Sequence, residues 1–368
     1  MFATSPKKIS FSVIQFQENL LTWYRLNKAQ HLWRQLWESR KDPYPVWVSE
    51  IMLQQTTIAS MSPVFEKFIT RFPTMLSLSS SQEQDIRTTV QGLGYYRRFS
   101  LLYKGVKTVV ASKHLPNSYE QWLEIPGVGD YTAAALSSIT LGEAVPVIDG
   151  NVIRVLCRLF DLRQPANDPS LKKELKNLAF QLIDKTCPGD FNQGMMELGQ
   201  KVCRPSSPSC QTCPLKSFCL AYKHKSIDLA PAPKLKKSNI DVNIRLHVVE
   251  DGDFFVLWER SERAKFLKKT VGFLTQIKNS DSFYVDGLET EEIFHQKYIG
   301  KVKHSITHHR ITAEVYKMEL SHLKAHKLLI KEARRVKKKQ LLSHLVSSLD
   351  IKAWELYHRN RFKKTLFD

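Results

Sequence analysis

Long apolar runs are missing from this chain. None of its 368 residues falls in a stretch long enough for a membrane-crossing helix. The opening segment Met1–Ser10 lacks the apolar core of a secretory signal. Cysteine is scarce, with 6 in all. Disulfide scaffolds belong to small secreted domains, so that class is excluded. The expectation is a soluble, cytoplasmic protein, associated with the nucleoid if bacterial, whose thiols stay reduced. No internal repeat is found, which excludes a repeat array. Acidic residues are in short supply, 36 against 55 Lys and Arg, leaving a net charge of +19. That excess points to a polyanionic partner, most economically nucleic acid, with an anionic membrane surface as the alternative.

What cysteine there is sits together. Cys203, Cys210, Cys213 and Cys219 follow the spacing C-x6-C-x2-C-x5-C. Four thiolates in one short stretch predict a metal centre. Structural zinc sites usually show two Cys-x-x-Cys knuckles, and only Cys210 and Cys213 make such a pair. The uneven loops suit a cubane iron–sulfur cluster at least as well. Cys157 and Cys187 lie outside this spacing and read as unligated thiols.

The chain is long enough for two cores. From Ser10 to about Lys225 the pattern is helical; near Ser226–Ser238 an Ala-Pro-Ala-Pro stretch reads as a linker. Beyond it, Val242–Val249 and Phe254–Trp258 are strand-like around a turn at Asp251-Gly252. Further strands are expected near Phe283–Val285 and Ile311–Met318, and a helix over Lys324–Leu345. The predicted division is a helical domain over 1–225, a linker over 226–240 and an α+β domain over 241–368. The basic run Arg334, Arg335, Lys337, Lys338, Lys339 is either a solvated helix face or a direct DNA contact.

Three motifs carry chemistry. Gly127, Val128 and Gly129 lie between two helical segments, where glycine lets a phosphate approach a helix start. The rival is an ordinary tight turn. Glu50 shares a helical stripe with Leu53, Gln54 and Thr57, a setting for a carboxyl of raised pKa or for a surface Glu. Asp149 ends an apolar segment before a helix, as an N-cap, a catalytic carboxylate, or both. Glycosidic cleavage needs two such groups, one to protonate the leaving group and one to stabilise an oxocarbenium-like sugar.

These pieces together resemble the endonuclease III superfamily of DNA glycosylases, and within it the MutY-type adenine DNA glycosylases. The matching segments are Trp47–Thr56, Gly92–Tyr96, Pro126–Ala133, Val147–Val152, Phe191–Gly199 and the four cysteines, covering about residues 10–222. The resemblance implies a mainly α helix-hairpin-helix domain with a [4Fe–4S] lobe and a C-terminal α+β Nudix-like domain. Its implied substrate is double-stranded DNA with adenine mispaired with 8-oxoguanine or guanine, bound by a monomer.

By the same resemblance Glu50 protonates the adenine ring, Asp149 stabilises the sugar cation, and Tyr131 and Asn151 position the site. Leu53, Glu197, Trp33 and Arg34 line the base pocket; a count back from Pro43 offers Trp37 and Glu38 instead. Gln55 and Tyr95 enter the helix beside the opposite base. Bifunctional relatives carry Lys where this chain has Tyr131, which implies excision without strand cleavage. In the C-terminal domain Thr307 and His308 stand in a loop that contacts 8-oxoguanine, and no hydrolytic Nudix box is visible. Two other readings are an oxidised-pyrimidine glycosylase with lyase activity and a non-catalytic iron–sulfur DNA-binding protein.

Overall fold

Polar caps set where the first helices begin. Ser12 accepts the Gln15 N–H at the head of α1 (Val13–Asn27), and Asp42 accepts the Tyr44 N–H before the Pro-initiated α3 (Pro43–Leu53), with α2 (Leu32–Arg40) between them. The computed structural model describes residues 9–233, 238–261, 264, 267–268, 270–277, 297–323, 333–345 and 347–364. It divides into two units, Met1–Leu235 and Lys236–Asp368.

The first unit is helical with two cores. One joins α2 and α3 to α4 (Ile58–Arg71), α5 (Met75–Ser79), α6 (Glu83–Thr89), α7 (Arg97–Ser112), α8 (Tyr119–Glu124) and α9 (Asp130–Leu136) around Trp47, Phe65, Phe68 and Trp122. The other joins α1 to α10 (Gly150–Leu159), α11 (Pro169–Leu182) and α12 (Pro188–Lys201) around Phe16, Leu20, Leu156 and Leu178. Each buried Leu or Phe contributes about 2 kcal/mol of burial free energy. The α8–α9 connection is the hairpin expected from the glycines. Gly127 has φ +86°, and a Cβ there would stand 2.7 Å from Leu101. Gly199 of α12 lies against Asn151, where a Cβ would meet the Asn151 Cβ at 2.7 Å. That close approach fixes the head of α10 on α12.

The expected [4Fe–4S] lobe is corrected. Among the described residues no group of three or more His, Cys, Asp or Glu side chains is placed to hold a metal ion. The loop over 202–219 leads into α13 (Leu220–Lys223) and is held by protein bonds instead. Arg158 donates to the Arg204 and Pro205 carbonyls at 2.7 and 3.0 Å and to Cys203 Sγ at 3.4 Å; the Cys219 thiol donates to the Arg158 carbonyl. Burial pushes the Cys213 thiol up to about 12 and Cys219 to about 11, so both keep their protons at neutral pH. The four cysteines share a void of about 30 Å³ with Val202, Lys216, Tyr222 and Ile227 without forming a ligand set. Residues 226–232 also pack on this unit: Ser226 Oγ donates to Asp161, and Arg158 to the Ala230 carbonyl.

The second unit is α+β. Its sheet runs β3 (Val271–Gly272), β2 (Phe254–Glu259), β1 (Ile240–Asp251), β6 (His309–Glu319), β5 (Lys297–Ile306), with β4 (Leu274–Ile277) on β1 and β7 (Arg334–Lys337) on β2. Strand β1 is parallel to β6 and antiparallel to β2 and β4. The path is open and branched. Among the described residues no closed or curled sheet is found, and the expected Nudix-like form of this α+β domain is corrected too. The helix expected over Lys324–Leu345 is also corrected. Arg334–Lys337 is a strand, Leu341–His344 is the short α14, and 324–332 lie outside the described residues, as does the strand expected near Phe283–Val285. Arg334 and Arg335 therefore stand on a sheet, paired with Glu259 and Asp251 at 2.5 Å each. Helix α15 (Ser348–Lys364) covers one sheet face. Its wholly buried Asp350 takes both terminal nitrogens of Arg260 at 2.8 and 3.1 Å.

Candidate active site

Five elements of the first unit meet at a cleft of about 430 Å³. Helix α2 brings Trp33 and Arg34, α3 brings Glu50 and Leu53, α9 brings Tyr131, and the head of α10 brings Asp149 and Asn151. The fifth, α12, brings Gln193, Met196 and Glu197. The cleft thus lies where the two helical cores face each other.

Glu50 is 5 % exposed. Its Oε2 accepts the Tyr131 hydroxyl at 2.8 Å. Burial raises its pKa to about 7; the Tyr131 bond opposes that, the Asp149 charge adds to it and Arg34 lowers it. This carboxyl therefore holds its proton far closer to neutral pH than an ordinary glutamate does. It can deliver a proton, as general acid catalysis requires. Tyr131 is half-buried beside it, with its own pKa well above the ordinary value from desolvation and the nearby Glu50 and Asp149 charges, and stays a neutral phenol.

Asp149 is the N-cap of α10. One oxygen accepts the Val152 N–H at 2.7 Å and the other the Asn151 amide at 2.8 Å. Burial raises its pKa, and these two bonds pull the other way. Asn151 is held in turn: its carbonyl accepts from Arg154 at 3.0 Å, and Arg154 also donates to the Gly199 and Cys203 carbonyls. The cap fixes the Asp149 carboxyl at the cleft wall.

The opposite wall carries a buried charge cluster. Arg34 pairs with Glu197 at 2.8 Å and donates to Gln193 at 2.9 Å and to the Ala29 carbonyl at 2.5 Å. Lys201 pairs with the other oxygen of Glu197 at 2.5 Å. Burial pushes the Glu197 carboxyl up, but Lys201 and Arg34 together hold it below the usual range. His31 stacks on Trp33 with centroids 4.3 Å apart and lines the same cleft.

Residues 48–180 match the HhH-GPD superfamily base excision DNA repair protein family. The chain is 34 % identical over 254 residues to an adenine DNA glycosylase of Buchnera aphidicola subsp. Schizaphis graminum, covering 68 % of this chain and 72 % of that one. The chain belongs to the adenine DNA glycosylase family. A relative of the same name in Mus musculus is 40 % identical over 218 residues, a match that spans 57 % of this chain and only 42 % of the mouse protein. Among solved structures, a thermostable thymine-DNA glycosylase matches 58 % of this chain and 97 % of its own, at 25 % identity and a TM-score of 0.51.

The other site residues expected for this family lie outside the cleft. Gln55 and Tyr95 stand on two loops, with Tyr95 56 % exposed. In the hairpin the side chain of Val128 is buried, and its N–H is already bonded to the Ile125 carbonyl at 3.0 Å. Of the flanking glycines, Gly129 has open space where a Cβ would stand, whereas Gly127 packs against Leu101. Thr307 and His308 form the tip of the β5–β6 hairpin of the second unit, where Thr307 has φ 54° and donates to the Ile306 carbonyl. Trp33 and Arg34 line the cleft. The alternative Glu38 instead pairs with Lys28 at 2.5 Å. The cysteines take no part as metal ligands. Sequence reasoning missed His31, Gln193 and Lys201. The i, i+4 spacing of Glu197 and Lys201 was the available signal for the last of these.

Proposed function

We propose that this protein is a monofunctional DNA glycosylase that hydrolyses the N-glycosidic bond of adenine mispaired with 8-oxoguanine or guanine in duplex DNA. The observation that carries the reading is the Glu50–Tyr131 pair facing Asp149 across one cleft, a carboxyl that holds a proton near neutral pH beside one fixed by a helix cap. Glu50 protonates the extruded base and makes it a leaving group; Asp149 stabilises the cationic sugar that remains. Tyr131 orients the Glu50 carboxyl and Asn151 that of Asp149. Trp33, Leu53 and the Arg34–Glu197 cluster bound the base, and Gln55 and Tyr95 occupy the duplex where it left. Backbone at Gly127 and Gly129 approaches a phosphate. Thr307 and His308 contact the opposite base. The relatives' names and the +19 charge support the substrate class.

Tyr131 supports the absence of a lyase step, since a phenol forms no Schiff base with the sugar. The test is incubation with duplexes carrying adenine opposite 8-oxoguanine, adenine opposite guanine, or thymine glycol opposite adenine. Abasic sites are scored with and without alkali. Abasic sites in the first two duplexes, revealed as breaks only by alkali, are expected. Breaks without alkali, or excision confined to thymine glycol, would overturn the reading. Thr307→Ala is expected to narrow the preference for 8-oxoguanine over guanine and to leave adenine chemistry on the guanine mispair intact.

A further inference from the structure

Gln55 and Tyr95 share a backbone peculiarity. Both are non-glycine residues in the left-handed region, at φ 58° and 49°. That conformation is strained for a residue with a Cβ and persists only where its surroundings hold it. They lie on different loops, one after α3 and one before α7.

One side chain grips both loops. Arg98, in the first turn of α7, donates from one terminal nitrogen to the Gln54 carbonyl, and from the other to Thr56 Oγ1 at 2.9 Å and the Leu93 carbonyl at 3.3 Å. Two of these acceptors bracket Gln55. The third is two residues before Tyr95, whose own carbonyl accepts the Arg98 backbone N–H at 3.1 Å. The guanidinium is 7 % exposed, its Nε has no hydrogen-bond partner, and no carboxylate among the described residues pairs with it. Burial pulls its pKa down to about 10, so it stays charged at neutral pH. A buried cation whose hydrogen bonds all go to loop acceptors, with the Phe99 ring 4.8 Å from its centre as its other support, is a costly way to fill space. Its planar fork reaches two loops at once, which the single nitrogen of a lysine does not.

We propose that Arg98 is a positioning residue that locks the Gln55 and Tyr95 loops at one spacing, so that the two side chains enter the duplex as a unit. The inference rests on the wedge reading of Gln55 and Tyr95 given above. It makes base extrusion, not bond cleavage, the step that depends on Arg98.

The test is a mutant cycle with the full chain under single-turnover conditions. The probe is a duplex with adenine opposite 8-oxoguanine, with 2-aminopurine in place of the adenine in a parallel arm to report unstacking. Arg98→Lys is expected to slow excision about 10-fold or more and to reduce the fluorescence rise to the same degree. In a Gln55→Ala/Tyr95→Ala background, Arg98→Lys is expected to add less than about 2-fold, because coupled residues are non-additive. A merely structural role would carry its full effect into that background and would leave extrusion intact. Thr56→Val, which removes one acceptor and keeps the cation, is the milder variant should Arg98→Lys fold poorly, and is expected to give a smaller loss with the same non-additivity. A slow Gln55→Ala/Tyr95→Ala protein in which Arg98→Lys still adds its full loss overturns the inference alone. A Gln55→Ala/Tyr95→Ala protein as fast as wild type overturns the wedge reading, and the inference with it.

Discussion

Two buried glutamates face the same cleft at the same exposure, 5 % each, yet bind their protons in opposite directions. Glu50 of α3 has a phenol as its hydrogen-bond partner and a pKa of about 7. Glu197 of α12 has Arg34 and Lys201 on its two oxygens and a pKa below the ordinary value. Burial alone raises both. The difference is whether a cation sits within hydrogen-bond reach. One end of the cleft is thereby a proton source and the other a fixed, ionised wall, a separation on which acid chemistry near neutral pH depends.

Removing the proton source gives the largest expected effect. Glu50→Gln should lower the single-turnover excision rate by about 100-fold or more, the range for losing a general acid, with a melting temperature at neutral pH no lower than that of wild type. A rate within a few-fold of wild type would assign the proton to another group. At the ionised end, Arg34→Met should cost about 3 kcal/mol in urea unfolding, because it leaves a buried carboxylate with half its compensation. Adding Glu197→Gln should restore part of that loss, which a double-mutant cycle measures.

The two glutamates also predict opposite stability slopes with pH. For Glu50 the folded pKa lies above the unfolded one. Its contribution is full below about pH 4.5 and is lost as pH rises to about 7, by up to about 3 kcal/mol. For Glu197 the folded pKa is depressed, so its contribution is present above the unfolded pKa and is lost as pH falls through the folded one. Urea midpoints from pH 5 to 8 should therefore fall less steeply with pH in Glu50→Gln than in wild type. Excision should run in parallel, level below pH 7 and falling above it as Glu50 ionises. The smallest effect is expected from Tyr131→Phe. The phenol holds the Glu50 pKa down, so its loss should move that fall to higher pH by less than about one unit. Alkali-independent breaks should still be absent from this variant.

Much of the site was legible in the chain. Asp149 reads as a cap and is one, and the glycines around Val128 read as a helix–helix hairpin and form one. Gln193 lay in the matching Phe191–Gly199 segment but took no role there, because its partner Arg34 stands on another helix, and His31 carried no signal. Val128 read as a phosphate contact, but the hairpin buries its side chain and uses its N–H internally. The four cysteines show how spacing can mislead. Their sequence pattern suits a metal, but among the described residues no group of three or more His, Cys, Asp or Glu is placed to hold one, and Arg158 ties the loop through its carbonyls. The basic run near Arg334 read as a solvated helix face or a direct DNA contact; its Arg334–Lys337 part is a strand paired with β2, a partner that local pattern does not reveal.

The sequence by itself determined the family, the order of the two carboxylates, the phenol at the hairpin and the caps that start the helices. These are local properties, set by residue type and spacing. Only the tertiary structure decided which glutamate keeps its proton, where the cysteines' bonds go, and that Arg98 spans two loops. Each of those depends on desolvation and on partners from distant segments, and a chain acquires both only when it folds.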